Sequence, residues 1–291
     1  MPSQLAELAQ HQAPTEPATP GELVYMYAIL PAQALTSLPT ICMDDDQPIY
    51  VLADEQLQAV VSRLRPEVFG EAALKNNLQR AAWLETHVRA HQRVLDHLVA
   101  TGKPILPLRF CTIYRNEAAA HSMLAAHQAE LWTELERLAY KKEWGVKLFV
   151  DPEALQLALC DNHPALQIWQ GNDEIATLQT QIAHGSRGAA FLLKKKLATA
   201  LAKAIETTAF ALADTTHVRL AQHAVEAVTS PLQQKCPEMH LNAAYLVANT
   251  AFAGFRQELD QLGEMYGAVG VRYELSGPWP AYHFLNLNLH G

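Results

Sequence analysis

The chain has 291 residues, 49% hydrophobic and 18% charged, a globular composition with length enough for more than one core. A net charge of −8 and a pI near 5.9 exclude a nucleic-acid binder that relies on a basic field. No base precedes Arg63, and the eight acids before it equal the whole net charge, so the N-terminal part is acidic and the remainder balanced. That excess serves solubility or a basic partner.

Residues 1–20 lack the basic and apolar regions of a secretory signal, and Pro14, Pro17 and Pro20 predict a flexible leader. Residues 22-ELVYMYAIL-30 read as a strand between Gly21 and Pro31, and 49-IYVLA-53 as a second. Asp54 is placed to cap a helix over 55–64. A helical stripe runs from about Glu71 to Ala100, stopped by Gly102 and Pro104. A strand-like run, 105-ILPLRFCTIY-114, follows, with Pro107 confining its start to an edge or an entry bend.

Asn116 caps a long predicted helix over 117–142. Residues 144-WGVKLFVD-151 alternate as a half-buried strand. A polar, less regular stretch over 161–187 leads to a helix over 188–228, ended by Pro231 and Pro237. Then come a strand at 239–247, a capped helix at 249–267 and a strand at 269–275. Without the insert, the order after residue 104 is βαββαβ, a ferredoxin-like pattern. The expected fold class is therefore α+β with two domains. An N-terminal α+β domain spans 21–103, and a ferredoxin-like domain spans 104–291 with a helical insert over about 161–237.

Motifs for chemistry are sparse. Cys42, Cys111, Cys160 and Cys236 form no CxxC pair and read as reduced, mostly buried thiols. His87 and His91 share a helical face at i and i+4, a spacing open to a metal, but no third ligand is fixed, and a packing pair is the default reading. Asp44, Asp45 and Asp46 lack the glycine and distal glutamate of a calcium loop and read as a solvated turn. Lys194, Lys195 and Lys196 fan round a helix and cannot converge on one phosphate. No apolar run approaches the roughly 20 residues that span a bilayer. No cofactor is expected.

Several stretches in one order carry a resemblance: 105-ILPLRFCTIY-114, 144-WGVK-147, 188-GAAFLLKK-195, 242-NAAYLV-247 with 255-FRQELDQL-262, and 275-LSGPWPAYHF-284. Together they resemble the gas vesicle GvpL/GvpF family from Leu23 to Phe284, LSGPWP being the most diagnostic. The motif positions are Arg109, Phe110, Trp144, Gly145, Lys147, Gly188, Phe191, Leu192, Lys195, Asn242, Tyr245, Gly277, Pro278, Trp279, Pro280, Tyr282 and Phe284. The resemblance implies two α/β domains, the second a modified ferredoxin fold. It also implies a non-enzymatic role in building gas vesicles. The expected partners are the small hydrophobic shell protein and other accessory gas vesicle proteins, with no nucleic acid and no membrane span. The expected location is the vesicle, or the cytoplasm during assembly.

Cys111 stands where the family has glycine, Phe191 where it often has tyrosine, and PWPAYHF where it has PWPPYSF; these read as packing changes. Gly277, Pro278 and Pro280 pre-order the terminal loop, so that Trp279, Tyr282 and Phe284 close the second domain or contact another vesicle protein. On the closing role, Trp279→Ala costs about 3–5 kcal/mol. The alternative is a small-molecule enzyme using Arg109, Cys111 and a histidine.

Overall fold

The computed structural model describes residues 23–35, 37–40, 43–44, 47–166, 172–232 and 236–287. The expected leader over 1–20, Cys42, Asp45 and Asp46 lie outside the described residues. The fold is mixed helix and sheet, in two compact units: Met1–Lys142 with Pro278–Gly291, and Glu143–Gly277.

In the first unit the sheet order is β2-β3-β1-β4, with β5 also on β1. Here β1 is Leu23–Pro31, β2 Ile49–Asp54, β3 Leu57–Leu64, β4 Leu106–Pro107 and β5 Ile113–Tyr114. The helix expected over 55–64 is a strand. Asp54 pairs with Leu57, which leaves Glu55 and Gln56 as a two-residue hairpin loop. β3 lies between β1 and β2 and is buried at every position but Arg63, so it shows no polar alternation to set its period. Val60 and Val61 favour the extended form.

The helix expected over 71–100 breaks at residues 78–80 into α2 (Glu71–Asn77) and α3 (Ala81–Ala100), after a short α1 (Pro66–Phe69). Gly102 has φ +72°, the left-handed stop expected of it. The strand expected over 105–114 is two short pieces on one edge of β1. Pro107 pairs with Ala28 and Ile113 with Tyr25, and residues 108–112 loop away between them. That pairing places the expected domain junction, near residues 102–104, inside the first unit. Asn116 caps the next helix through its side chain, as expected, 2.8 Å from the Ala119 N–H. The helix divides at His127 into α4 (Glu117–Ala126) and α5 (Gln128–Leu138).

The second unit takes β6 (Lys141–Val150) from Glu143 on, then α6 (Pro152–Cys160), α7 (Asn172–His184), α8 (Arg187–Ala221), β7 (Glu226–Thr229), β8 (Met239–Ala248), α9 (Phe252–Tyr266) and β9 (Val271–Trp279) as far as Gly277. Its sheet order is β7-β8-β6-β9. The strand at 105–114 is therefore not a member of this sheet, and β7 takes a place in it. β7 was expected as the end of a helix; its four residues, EAVT, are too short to show a period. The stretch over 161–187, expected to be irregular, contains the whole of α7. Before it, Asp151 caps α6, with Pro152 in its first turn.

Val146, Leu148 and Val150 of β6 are buried in alternation, packed with Tyr245, Val247, Phe255, Leu259, Leu212 and Leu220. Gly270, at φ +90°, admits no side chain: a Cβ there would lie 2.7 Å from Ala154 Cβ. β9 continues through Trp279, so the run expected as a loop begins inside a strand, with Gly277 at φ +118°.

Candidate functional site

The motifs RFCT and PWPAYHF meet in the first unit around a buried imidazole. Tyr282 Oη donates to the Leu108 carbonyl at 3.1 Å, and that carbonyl can only accept. Tyr282 therefore accepts from His91 Nε2–H at 2.8 Å. This makes Nδ1 an acceptor, which receives the Tyr25 hydroxyl proton at 2.8 Å. Tyr25 in turn accepts the Cys111 N–H at 3.1 Å. Donors and acceptors match along the whole chain only with His91 neutral. Burial drives its pKa down to about 4 against a weaker opposing effect of the Leu108 carbonyl. Burial also raises Tyr25 well above its ordinary value.

A second tie lies beside it. Glu134, 5% exposed, is held by Arg137 at 2.7 and 2.8 Å and accepts the Asn286 N–H at 2.8 Å. Burial works to raise its pKa, but the hydrogen bonds from Arg137 and Asn286 outweigh it and keep the carboxyl low. Arg137 also donates to the Phe284 carbonyl. Phe284 is buried at 3% exposure, and Tyr282 packs on the core of β1 and α3. Pro280 is buried as well. The terminal motif thus closes the first unit, not the second as expected. Trp279, expected to be a buried anchor, is 40% exposed.

The functional candidates do not assemble a reacting centre. Arg109 is exposed and starts the turn that Thr112 closes on its carbonyl, Oγ1 at 2.8 Å. Phe110 meets His91 edge-on at 5.9 Å. The Cys111 thiol is pushed up to about 12 by burial, so no thiolate forms near neutrality. Its φ of +67° explains why glycine suits this position; the exchange is a backbone matter, where only packing was expected. His87 and His91 do not share a ligand: His87 stacks on Trp83 at 3.9 Å and donates Nδ1–H to the Trp83 carbonyl at 2.7 Å. Among the described residues no cluster of three metal-ligating side chains occurs. Asp44 is buried beside Arg65, not solvated, with Nε at 2.8 Å.

In the second unit, Trp144 stacks on Phe252 at 4.1 Å, and the Gly145 carbonyl accepts from Ser276 Oγ at 3.4 Å. Lys147 is half-buried on β6. Tyr245 is buried against Phe255, and its hydroxyl lies 3.0 Å from His217 Nδ1. The half-buried Asn242 receives the Ser230 N–H on its carbonyl at 2.7 Å. Gly188, Phe191, Leu192 and Lys195 behave differently: all four are exposed on α8. Their spacing of i, i+3, i+4 and i+7 puts them on one face. Phe191 is 73% and Leu192 64% exposed.

Tyr25 and His91 were not singled out with the motif positions, although His91 lies on the apolar stripe of its helix with Val94, Leu95 and Leu98. A polar ring on an apolar face marks a buried hydrogen-bonding group.

The motif residues thus define a mixed helix–sheet protein in which many motif positions are internal ties and four share one exposed helix face. A family model described as gas vesicle synthesis protein GvpL/GvpF matches residues 23–286, and the chain belongs to that family. Gas vesicle protein L of Streptomyces sp. (strain CB03234) is 29% identical over 83% of this chain and 84% of its own length. Gas vesicle protein F of Dolichospermum flosaquae is 24% identical over 86% and 93%. The crystal structure of GvpF from Anabaena sp. PCC7120 shares the fold, with a TM-score of 0.65 at 18% identity over 92% of this chain and 100% of that one. GvpF from Microcystis aeruginosa gives 0.60 at 17% identity over 91% and 99%. Among the described residues no helix is long and apolar enough to cross a membrane.

Proposed function

We propose that this protein is an accessory or minor structural component that acts in gas vesicle assembly by binding the small hydrophobic shell protein. The observation that carries the reading is the exposure of Phe191 and Leu192 on a regular helix. Large apolar groups held side by side in water mark a contact surface. The ties around His91 and Glu134 suit a scaffold that presents such a surface. The second unit is read as a modified ferredoxin-like domain, supported by its element order and by the sheet order β7-β8-β6-β9. The protein works in the cytoplasm during assembly or on the vesicle, beside other accessory gas vesicle proteins. It is read as non-enzymatic: the half-buried, protonated Cys111 thiol and the exposed Arg109 argue against a catalytic pair.

The test is pressure-sensitive light scattering of host cells that lack the gene, with and without the gene restored, together with capture of the shell protein by the purified chain. Loss of the pressure-collapsible signal, its rescue and the capture support the proposal. Normal vesicles in the deletion strain, or no capture, overturn it.

A further inference from the structure

Over residues 187–205, α8 carries five bases and no acid, in a chain whose net charge is −8. Lys194, Lys195 and Lys196 are exposed, and among the described residues no carboxylate pairs with them. At about 100° per residue, Lys195 projects between Phe191 and Leu192 one turn further on, with Lys194 and Lys196 to either side. Lys195 thus borders one end of an exposed apolar pair, and Lys194 and Lys196 flank it at about 100° on either side. The same face continues as Ala198, Thr199 and Ala202, all exposed. Leu201, Thr208 and Leu212 point the other way and are buried.

Gly188 adds a second observation. A Cβ there would meet nothing within 4 Å, and its φ is not positive, so neither internal packing nor backbone geometry calls for glycine. What its absent side chain provides is open floor beside Phe191, on which another backbone can come close.

We infer that this face of α8, from Gly188 to Ala202, is the docking site for an amphipathic helix whose apolar side chains meet Phe191 and Leu192 and whose carboxylates meet Lys195, with Lys194 and Lys196 at its flanks. The inference rests on the shell-protein reading above and names where that contact is made. The stripe is about 21 Å long at 1.5 Å per residue, room for roughly four turns of a partner helix. Its small residues allow two helix axes to approach to about 8 Å. The charge border selects an acidic partner: apolar contact supplies affinity, and the lysines set orientation and on-rate. A lipid surface is the weaker fit, because beyond the two large apolar groups the stripe is small and polar, with little to bury among acyl chains.

The experiment uses the full chain and the host's shell protein, co-expressed. A photo-crosslinking amino acid is placed at Phe191 or Ala198, and as a control at Leu157, an exposed leucine on α6. The variants Phe191→Asp/Leu192→Asp and Lys194→Glu/Lys195→Glu/Lys196→Glu are compared by capture, with thermal melting to show that they fold. All these side chains are exposed, so unchanged melting is expected. The expected result is cross-linking from 191 and 198 but not from 157, and a loss of capture of roughly ten-fold or more in each variant. Wild-type capture should also weaken as NaCl rises from about 50 to 500 mM. Capture that survives both variants overturns this face and leaves the shell-protein reading standing. No capture by the wild-type chain overturns both. Flotation of the wild-type chain with anionic phospholipid vesicles, lost in the Asp variant, would reassign the face to lipid.

Discussion

His91 on α3 donates Nε2–H to the Tyr282 hydroxyl at 2.8 Å, across 191 residues of sequence. The bond is one link in a chain whose direction is fixed by its ends, the Cys111 N–H and the Leu108 carbonyl. Each group in it is matched to the next as donor to acceptor.

Tyr282→Phe removes one hydroxyl and leaves two buried groups short, His91 Nε2–H and the Leu108 carbonyl. The expected loss is about 1–3 kcal/mol of unfolding free energy, measured by urea titration. An unchanged midpoint would mean that the two groups are satisfied elsewhere.

Acid sensitivity follows from the same ring. In the unfolded chain a histidine titrates near 6.5, whereas folded His91 titrates at about 4. Above pH 6.5 both states are neutral and the stability is whole. As pH falls from 6.5 towards 4, the unfolded chain takes up a proton that the native state refuses, and stability drops by about 3 kcal/mol across that window. Burial lowers His240 as well, with the same sign. Comparing His91→Gln with the parent across this range isolates the ring. Parallel curves would remove His91 as the cause.

Cys111 should resist alkylation at pH 8 in the native protein and react at the normal rate once unfolded, because burial holds its thiol at about 12. Mass spectrometry after a short iodoacetamide pulse reads this directly. Cys111→Gly should relieve the left-handed backbone at φ +67° by about 1 kcal/mol, offset by the loss of a half-buried side chain. A net change within about 1 kcal/mol is expected, whereas Cys111→Val, branched at Cβ, should destabilise clearly.

The two aromatics of the terminal motif should separate. Phe284, 3% exposed, should cost about 3–5 kcal/mol on truncation to alanine. Trp279, 40% exposed, should cost about 1 kcal/mol, well below what its flanking prolines suggest. Equal costs, read from thermal melts of the two variants, would contradict the burial difference.

Much of the element order was legible in the sequence. Alternation located β6, punctuation located β1, and Asn116 and Gly102 acted as the caps they resemble. β3 was not legible, because a strand buried on both faces has the composition of a core helix. Nor was the membership of each sheet: 105-ILPLRFCTIY-114 reads as a strand wherever it pairs, and only tertiary contact assigns it to β1. Of the site, the motif positions were visible but not their sorting. Spacing alone puts Gly188, Phe191, Leu192 and Lys195 on one face, yet exposure decided that the face is open, while Tyr282 needed His91 and Leu108 to become a tie.

The first unit is interrupted by the whole of 143–277 before residues 278–287 return to it. This bears on the order in which the chain folds. Closing so long a loop while it is unfolded costs an entropy that grows with the logarithm of its length. The second unit is one continuous stretch and needs no such closure. It should therefore collapse first, on or off the ribosome, and shorten the effective distance between His91 and Tyr282. Until residues 282–286 return, His91 lacks its Tyr282 partner and Glu134 its Asn286 partner, so this non-local closure is expected to be the slow and aggregation-exposed phase of folding.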